Sequence, residues 1–132
     1  MSSNHQPTVE ILADKESLID RALAIVVAKL EAAIALQGQA TIALSGGSTP
    51  KPLYEALAKQ SLPWPQVQVF WGDERYVPSD HPDSNQRMTR HAWLDHIEMP
   101  PGNIHPMPTQ AGDAQRDAED YENELDKFFH LA

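Results

Sequence analysis

The chain has 132 residues, a 41% hydrophobic fraction and a net charge of −9, from ten Lys and Arg against 19 Asp and Glu. That is enough apolar content for one folded core and too much for a disordered tail. The absence of cysteine excludes a disulfide scaffold, a thiol nucleophile and a Cys-ligated metal, and the acidic balance argues against nucleic acid or anionic membrane as a partner.

Residues 1–7 are polar and read as a frayed start, with no basic-then-apolar targeting pattern, so the cytosol is the expected location. Residues 8–12 (TVEIL) are a short β-prone run, expected as a first strand. Asp14 stands where a helix N-cap would, and from Lys15 to Gln37 apolar residues including Leu18, Leu23, Val26, Leu30 and Ile34 recur at helical spacing. Charged residues Asp20, Arg21, Lys29 and Glu31 interrupt this run, so it does not read as a membrane span. Gly38 suits the left-handed position just past the helix.

Residues 40–45 (ATIALS) are short, apolar and glycine-flanked, the pattern of a buried parallel strand. A second helix is expected over residues 51–59, capped by Ser48 or Thr49. Val67–Trp71 is the next strand, and residues 77–84 are a loop by composition. Asn85 is expected to cap a helix running to about Asp95. Residues 104–107 form a short strand limited by Pro106, and residues 113–131 an amphipathic helix through Ala114, Ala118, Tyr121, Leu125 and Phe128. Alternating strands and helices imply an α/β fold with a mostly parallel sheet. Seven of the 19 acids but only two of the ten bases follow Gly112, and the acidic last helix reads as a solvated face.

Two constellations stand at strand ends, where parallel sheets bind ligands. The first is Ser45-Gly46-Gly47-Ser48-Thr49, a turn whose glycines allow close backbone approach and whose hydroxyls can donate to a phosphate. It is neither a Walker loop nor a dinucleotide fingerprint. The second is Asp73-Glu74-Arg75 after Val67–Trp71: Asp73 is suited to orienting a base or holding a sugar hydroxyl, and Arg75 to gripping a phosphate or polarising a carbonyl. Ser84 and Asn85, with Arg87 and Arg90 one turn apart, form a weaker third group, the arginines reading more simply as solvated. The histidines have no metal-site spacing, and no metal is expected. Trp64, Trp71 and Trp93 read as core.

Residues 43–58 (ALSGGSTPKPLYEALA) and 69–88 (VFWGDERYVPSDHPDSNQRM) resemble the two N-terminal signatures of the 6-phosphogluconolactonases, and the similarity runs from about Thr8 to the C-terminus. The resemblance implies a three-layer Rossmann-like fold shared with glucosamine-6-phosphate deaminases, and hydrolysis of 6-phospho-D-glucono-1,5-lactone to 6-phosphogluconate in the pentose phosphate pathway. It implies no cofactor. By motif, Asp73 and Arg75 are carried over as catalytic residues, and Ser45, Gly46, Gly47, Ser48, Thr49, Ser84 and Asn85 as phosphosugar-binding ones. Family members are about twice as long, and their second half carries a Gly-His-x-Ala-Ser-type motif whose histidine is the expected general base. This chain contains no Gly-His-x-Ala match. The chain therefore reads as the N-terminal portion of such a domain, with a complementing C-terminal half or a homo-oligomer as expected partner. A non-catalytic phosphosugar-binding fragment and an amino-sugar-phosphate deaminase are the alternatives; Asp-Glu-Arg rather than Asp-Glu-Tyr at the strand end favours the lactonase.

Overall fold

The computed structural model of the chain describes residues 6–130. Within them, helices and parallel strands alternate: α1 (Lys15–Gln37), β1 (Ala40–Leu44), α2 (Lys51–Leu57), β2 (Val67–Trp71), α3 (Asn85–Ala92), β3 (Ile104–His105) and α4 (Ala114–Phe129). The sheet order is β1-β2-β3, with β1 in register on β2 from Ala40 opposite Val67 to Leu44 opposite Trp71. The short β3 pairs with β2 at Val69 and Phe70. Strand β3 stops before Pro106, which has no N–H to give a ladder.

Strand periodicity divides β2 between two layers. Val67, Val69 and Trp71 face α1, α2 and α3 and join Ala40, Leu44, Leu30, Tyr54, Leu57 and Trp93 in one buried cluster. Trp93 stacks on Tyr54 at 6.2 Å and meets Trp64 edge-on at 5.5 Å. Such aromatic pairs contribute about 0.5–1.5 kcal/mol each beyond the area they bury. Trp64, Trp71 and Trp93 are all core residues, as the sequence suggests.

Gln68 and Phe70 point the other way, under α4. The Phe70 ring lies between His105 at 4.3 Å and Phe128 and Phe129 at 5.0 and 5.2 Å. His105 reaches Glu124 Oε1 through Nδ1 and Gln68 Oε1 through Nε2, both at 2.7 Å. The Tyr121 hydroxyl donates to the His105 carbonyl at 2.8 Å and accepts from the Trp71 N–H at 3.2 Å. The last helix is thus fastened to both β2 and β3. Its acidic face is only partly solvated: Glu124 is spent on His105, and Asp117 is buried, accepting from the Tyr76 hydroxyl at 2.8 Å and the Ala111 N–H at 3.1 Å. That carboxylate raises the Tyr76 phenol above its ordinary pKa.

The caps of α1 are the expected ones. Asp14 Oδ1 accepts from the Ser17 N–H at 2.7 Å, which holds its carboxyl below the usual range, and Gly38 turns at φ +77°. Leu18, however, lies off the buried side with Ile25 and Leu36, because α1 is apolar on more than one face.

Other expectations are corrected. Residues 8–12 are extended but not a strand, since no other strand lies beside them among the described residues; the Arg21 guanidinium grips Glu10 at 2.8 and 3.1 Å and holds the run against α1. Val9 and Ile11 are left 80% and 93% exposed. Helix α2 is capped by neither Ser48 nor Thr49: Pro50, already in helical conformation, is its N-cap and makes no side-chain cap bond. Helix α3 begins one residue earlier than expected, with Ser84 rather than Asn85 as cap, and ends at Ala92 rather than near Asp95 because Trp93 leaves helical angles as it enters the core. Of the expected frayed start, residues 1–5 lie outside the described residues.

Candidate active site

The carboxyl ends of β1 and β2 are tied together by a bond from the Gly72 N–H to the Leu44 carbonyl at 2.9 Å. This places the loop after β1 beside the loop after β2. Each is then locked from a different side.

The 45–49 loop is held by Tyr54. Its buried hydroxyl donates to the Ser45 carbonyl at 2.7 Å and accepts from the Ser45 N–H at 3.0 Å, and burial pushes the phenol above its usual pKa. Gly47 turns at φ +90°, open to glycine at little cost. Gly46 has a different reason: a Cβ there would lie within the carboxamide of Asn85.

Asn85 is the link between the loops. It is buried, and its Nδ2 donates to the Asp73 carbonyl at 3.2 Å while its carboxamide fills the space over Gly46. Within the Asp-Glu-Arg triplet the three side chains do different work. Glu74 turns inward onto the start of α3, accepting from the N–H groups of Asn85 at 2.7 Å and Gln86 at 2.9 Å, and from its neighbour Arg75 at 2.8 Å. A carboxylate on these otherwise orphaned first-turn donors is a favourable charge for the helix end. With Glu74 engaged, the exposed Arg75 is left facing a cavity and has no ion-pair partner among the described residues.

That cavity, of about 630 Å³, is lined by Gly47, Ser48, Lys51, Arg75, Asp83, Ser84, Asn85 and the apolar Pro82 and Met88. Five of the residues singled out from the sequence therefore converge: Gly47, Ser48, Arg75, Ser84 and Asn85. Four do not line it. Ser45 and Gly46 shape the loop from behind, Thr49 lies outside the wall, and Asp73 contributes its backbone carbonyl to Asn85 while its carboxylate is solvent-exposed. Arg87 and Arg90 form no anion patch there; Arg90 bonds to Gln86 at 2.9 Å within α3. Two cations against one carboxylate line the cavity of an acidic chain, and no residue of α4, where the acids concentrate, reaches it.

The sequence reading assigns Glu74 no role, since no local signal marks it as the residue that turns inward. Replacing Glu74 with alanine is expected to destabilise the chain by about 1–3 kcal/mol, since three N–H groups lose their acceptor. Glu74→Gln, which keeps one carbonyl oxygen, is expected to lose less. Urea denaturation checks this order, and equal midpoints for the three proteins would contradict it.

The fold and cavity define a class: a parallel α/β domain whose strand-end loops offer hydroxyls, backbone groups and two cations to a small anionic ligand. A family profile described as glucosamine-6-phosphate isomerases/6-phosphogluconolactonase matches residues 13–132, and the chain belongs to that family. It is 62% identical over 125 residues to the 6-phosphogluconolactonase of Synechocystis sp., and 56% identical over 125 residues to that of Nostoc sp.; each match covers 95% of this chain and 52% of the relative. The solved structure of 6-phosphogluconolactonase from Trypanosoma brucei aligns with a TM-score of 0.82 at 32% identity, over 92% of this chain and 51% of that one. The chain spans about half the length of the curated relatives it matches.

Proposed function

We propose that this chain carries the phosphosugar-binding half of a 6-phosphogluconolactonase site, acting in the cytosol on 6-phospho-D-glucono-1,5-lactone. The observation that carries the reading is the convergence of Gly47, Ser48, Lys51 and Arg75 on one cavity, in a chain otherwise strongly acidic. A phosphate dianion is matched by Arg75 and Lys51, the first through a planar fork and the second as a point charge. Ser48 and Ser84 add hydroxyls able to bond phosphate or sugar oxygens.

Lactone hydrolysis adds water to the ring carbonyl and expels the ring oxygen, giving a carboxylate and a free hydroxyl. It needs a base for the water and donors for the developing oxyanion. Arg75 is suited to the second task as well as to phosphate. For the first, no histidine lines the cavity among the described residues, and Asp73 is not among the lining residues. We assign the base to the other half of the family domain, which completes the site.

The test is isothermal titration with 6-phosphogluconate, paired with a lactone assay corrected for spontaneous hydrolysis. The chain alone is expected to bind the product and to turn over lactone at the blank rate. With the second half of a relative added, turnover is expected to rise above the blank. Failure to bind 6-phosphogluconate, or ammonia release from glucosamine 6-phosphate, would overturn the reading.

A further inference from the structure

From Gly72 to Pro78 the chain is neither helix nor strand, so Arg75 is placed by side-chain tethers and not by a backbone ladder. Its own backbone makes two local bonds at 2.8 Å: its N–H donates to Glu74 Oε1, and its carbonyl accepts from the Val77 N–H. Three tethers then fix its neighbours. Glu74 is fastened to the first turn of α3. The Tyr76 hydroxyl donates to Asp117 Oδ2 on α4 at 2.8 Å, and Thr109 Oγ1 donates to the Val77 carbonyl at 2.6 Å.

Asp117 is a costly residue to keep in this place. It is 3% exposed, and a buried carboxylate is expensive unless it is well bonded. Its own helix does not account for it. The N–H groups of Gln115 and Arg116 are already taken by Asp113, the N-cap, at 3.1 and 3.3 Å. Both bonds of Asp117 run through Oδ2 and leave the helix, one to the Tyr76 hydroxyl and one to the Ala111 N–H. Tyr76 is 45% exposed, so burial does not hold its ring; the hydroxyl is its anchor, in a bond of the strong, charge-assisted kind. What this pair secures is the loop segment next to Arg75.

Binding must order any loop and side chain that are loose in the free protein, and holding them in place beforehand removes that cost. Arg75 is exposed, long and free of ion pairs among the described residues, so its order depends on the backbone beneath it. We propose that Tyr76 and Asp117 form a strut that positions Arg75 at the cavity. The first turn of α4 would then govern anion affinity although no residue of α4 lines that cavity. The effect on affinity rests on the phosphosugar reading of the site; the effect on the order of Arg75 does not.

The test is Tyr76→Phe, which removes one oxygen and keeps the ring. In the ligand-free chain, NMR order parameters of the Arg75 and Val77 amides are expected to fall from about 0.85 to about 0.6 or below, with an unchanged circular dichroism spectrum. Affinity for 6-phosphogluconate, measured by titration calorimetry, is expected to fall about 3- to 10-fold, the cost of ordering one loop and one side chain. In an Arg75→Ala background the same change is expected to alter affinity by less than about twofold, because the tyrosine acts only through the arginine. Asp117→Ala is expected to match Tyr76→Phe. Asp117→Asn keeps an oxygen able to accept both bonds, is expected to stay within about twofold of wild type, and serves if the alanine variant fails to fold. A merely stabilising contact would shift the urea midpoint and leave the order of Arg75 and the affinity unchanged; either unchanged value would overturn the proposal, as would an equal loss of affinity in the Arg75→Ala background. If the wild-type chain does not bind 6-phosphogluconate, the phosphosugar reading fails, and the order parameters alone decide the strut.

Discussion

Arg75→Ala is expected to cost about 10–100-fold in affinity for 6-phosphogluconate and to leave the fold unchanged. The magnitude follows from the chemistry of one contact. A hydrogen bond to an ionised group is worth about 1.5–3 kcal/mol, and each 1.4 kcal/mol is tenfold in a binding constant. Arg75 is exposed and engages no carboxylate among the described residues, so its side chain can be removed without leaving an uncompensated charge behind. Lysine should not substitute fully, because it replaces a bidentate planar fork with a single ammonium. In a complex with the complementary half, Arg75→Ala is expected to bring turnover down to the spontaneous rate. Titration calorimetry and the blank-corrected assay check both statements, and wild-type affinity with a native dichroism spectrum would remove Arg75 from the site.

Gly46→Ala is expected to destabilise the chain by about 2–4 kcal/mol, a sum of overpacking and a lost buried hydrogen bond. The added methyl needs the volume that the Asn85 carboxamide occupies, and moving that carboxamide aside releases its bond to the Asp73 carbonyl. The two loops would come apart with it. This cause has a specific signature. In an Asn85→Ala background the clash is gone, so Gly46→Ala should cost about 1 kcal/mol or less there. Denaturation of the four proteins of this cycle measures the coupling, and additive losses would contradict the contact as the reason for the glycine. Gly47 predicts a different pattern: its replacement is costly in either background, because φ +90° is strained for any residue with a Cβ.

The parts of this structure legible in the sequence are those determined by local chemistry. Val67–Trp71 is a strand at the expected residues because a short β-branched and aromatic run between turn residues has little other choice. Asp14 and Gly38 bracket α1 because capping needs only a neighbouring N–H and a left-handed angle. What failed depended on partners distant in sequence. Residues 8–12 have strand composition, but a strand needs a neighbour, and none is at hand among the described residues. Asn85 reads locally as a cap; Ser84 takes that role, and Asn85 instead joins Gly46 to Asp73 across 39 and 12 positions of chain. Asp73 and Arg75 are both carried over as catalytic residues from the sequence, yet only Arg75 lines the cavity, while Glu74 between them turns inward onto the start of α3. Tyr54 and Asp117 carried no signal, because each acts on a backbone or side chain brought near by the fold alone.

The proposed function requires the loops after β1 and β2 to form one anion-binding cavity. Its most direct test is an NMR titration of the isotopically labelled chain with 6-phosphogluconate. Saturable shifts are expected at the Gly47, Ser48, Arg75 and Asn85 amides, following a single binding curve. Shifts confined to one of the two loops, or centred elsewhere on the molecule, would contradict it.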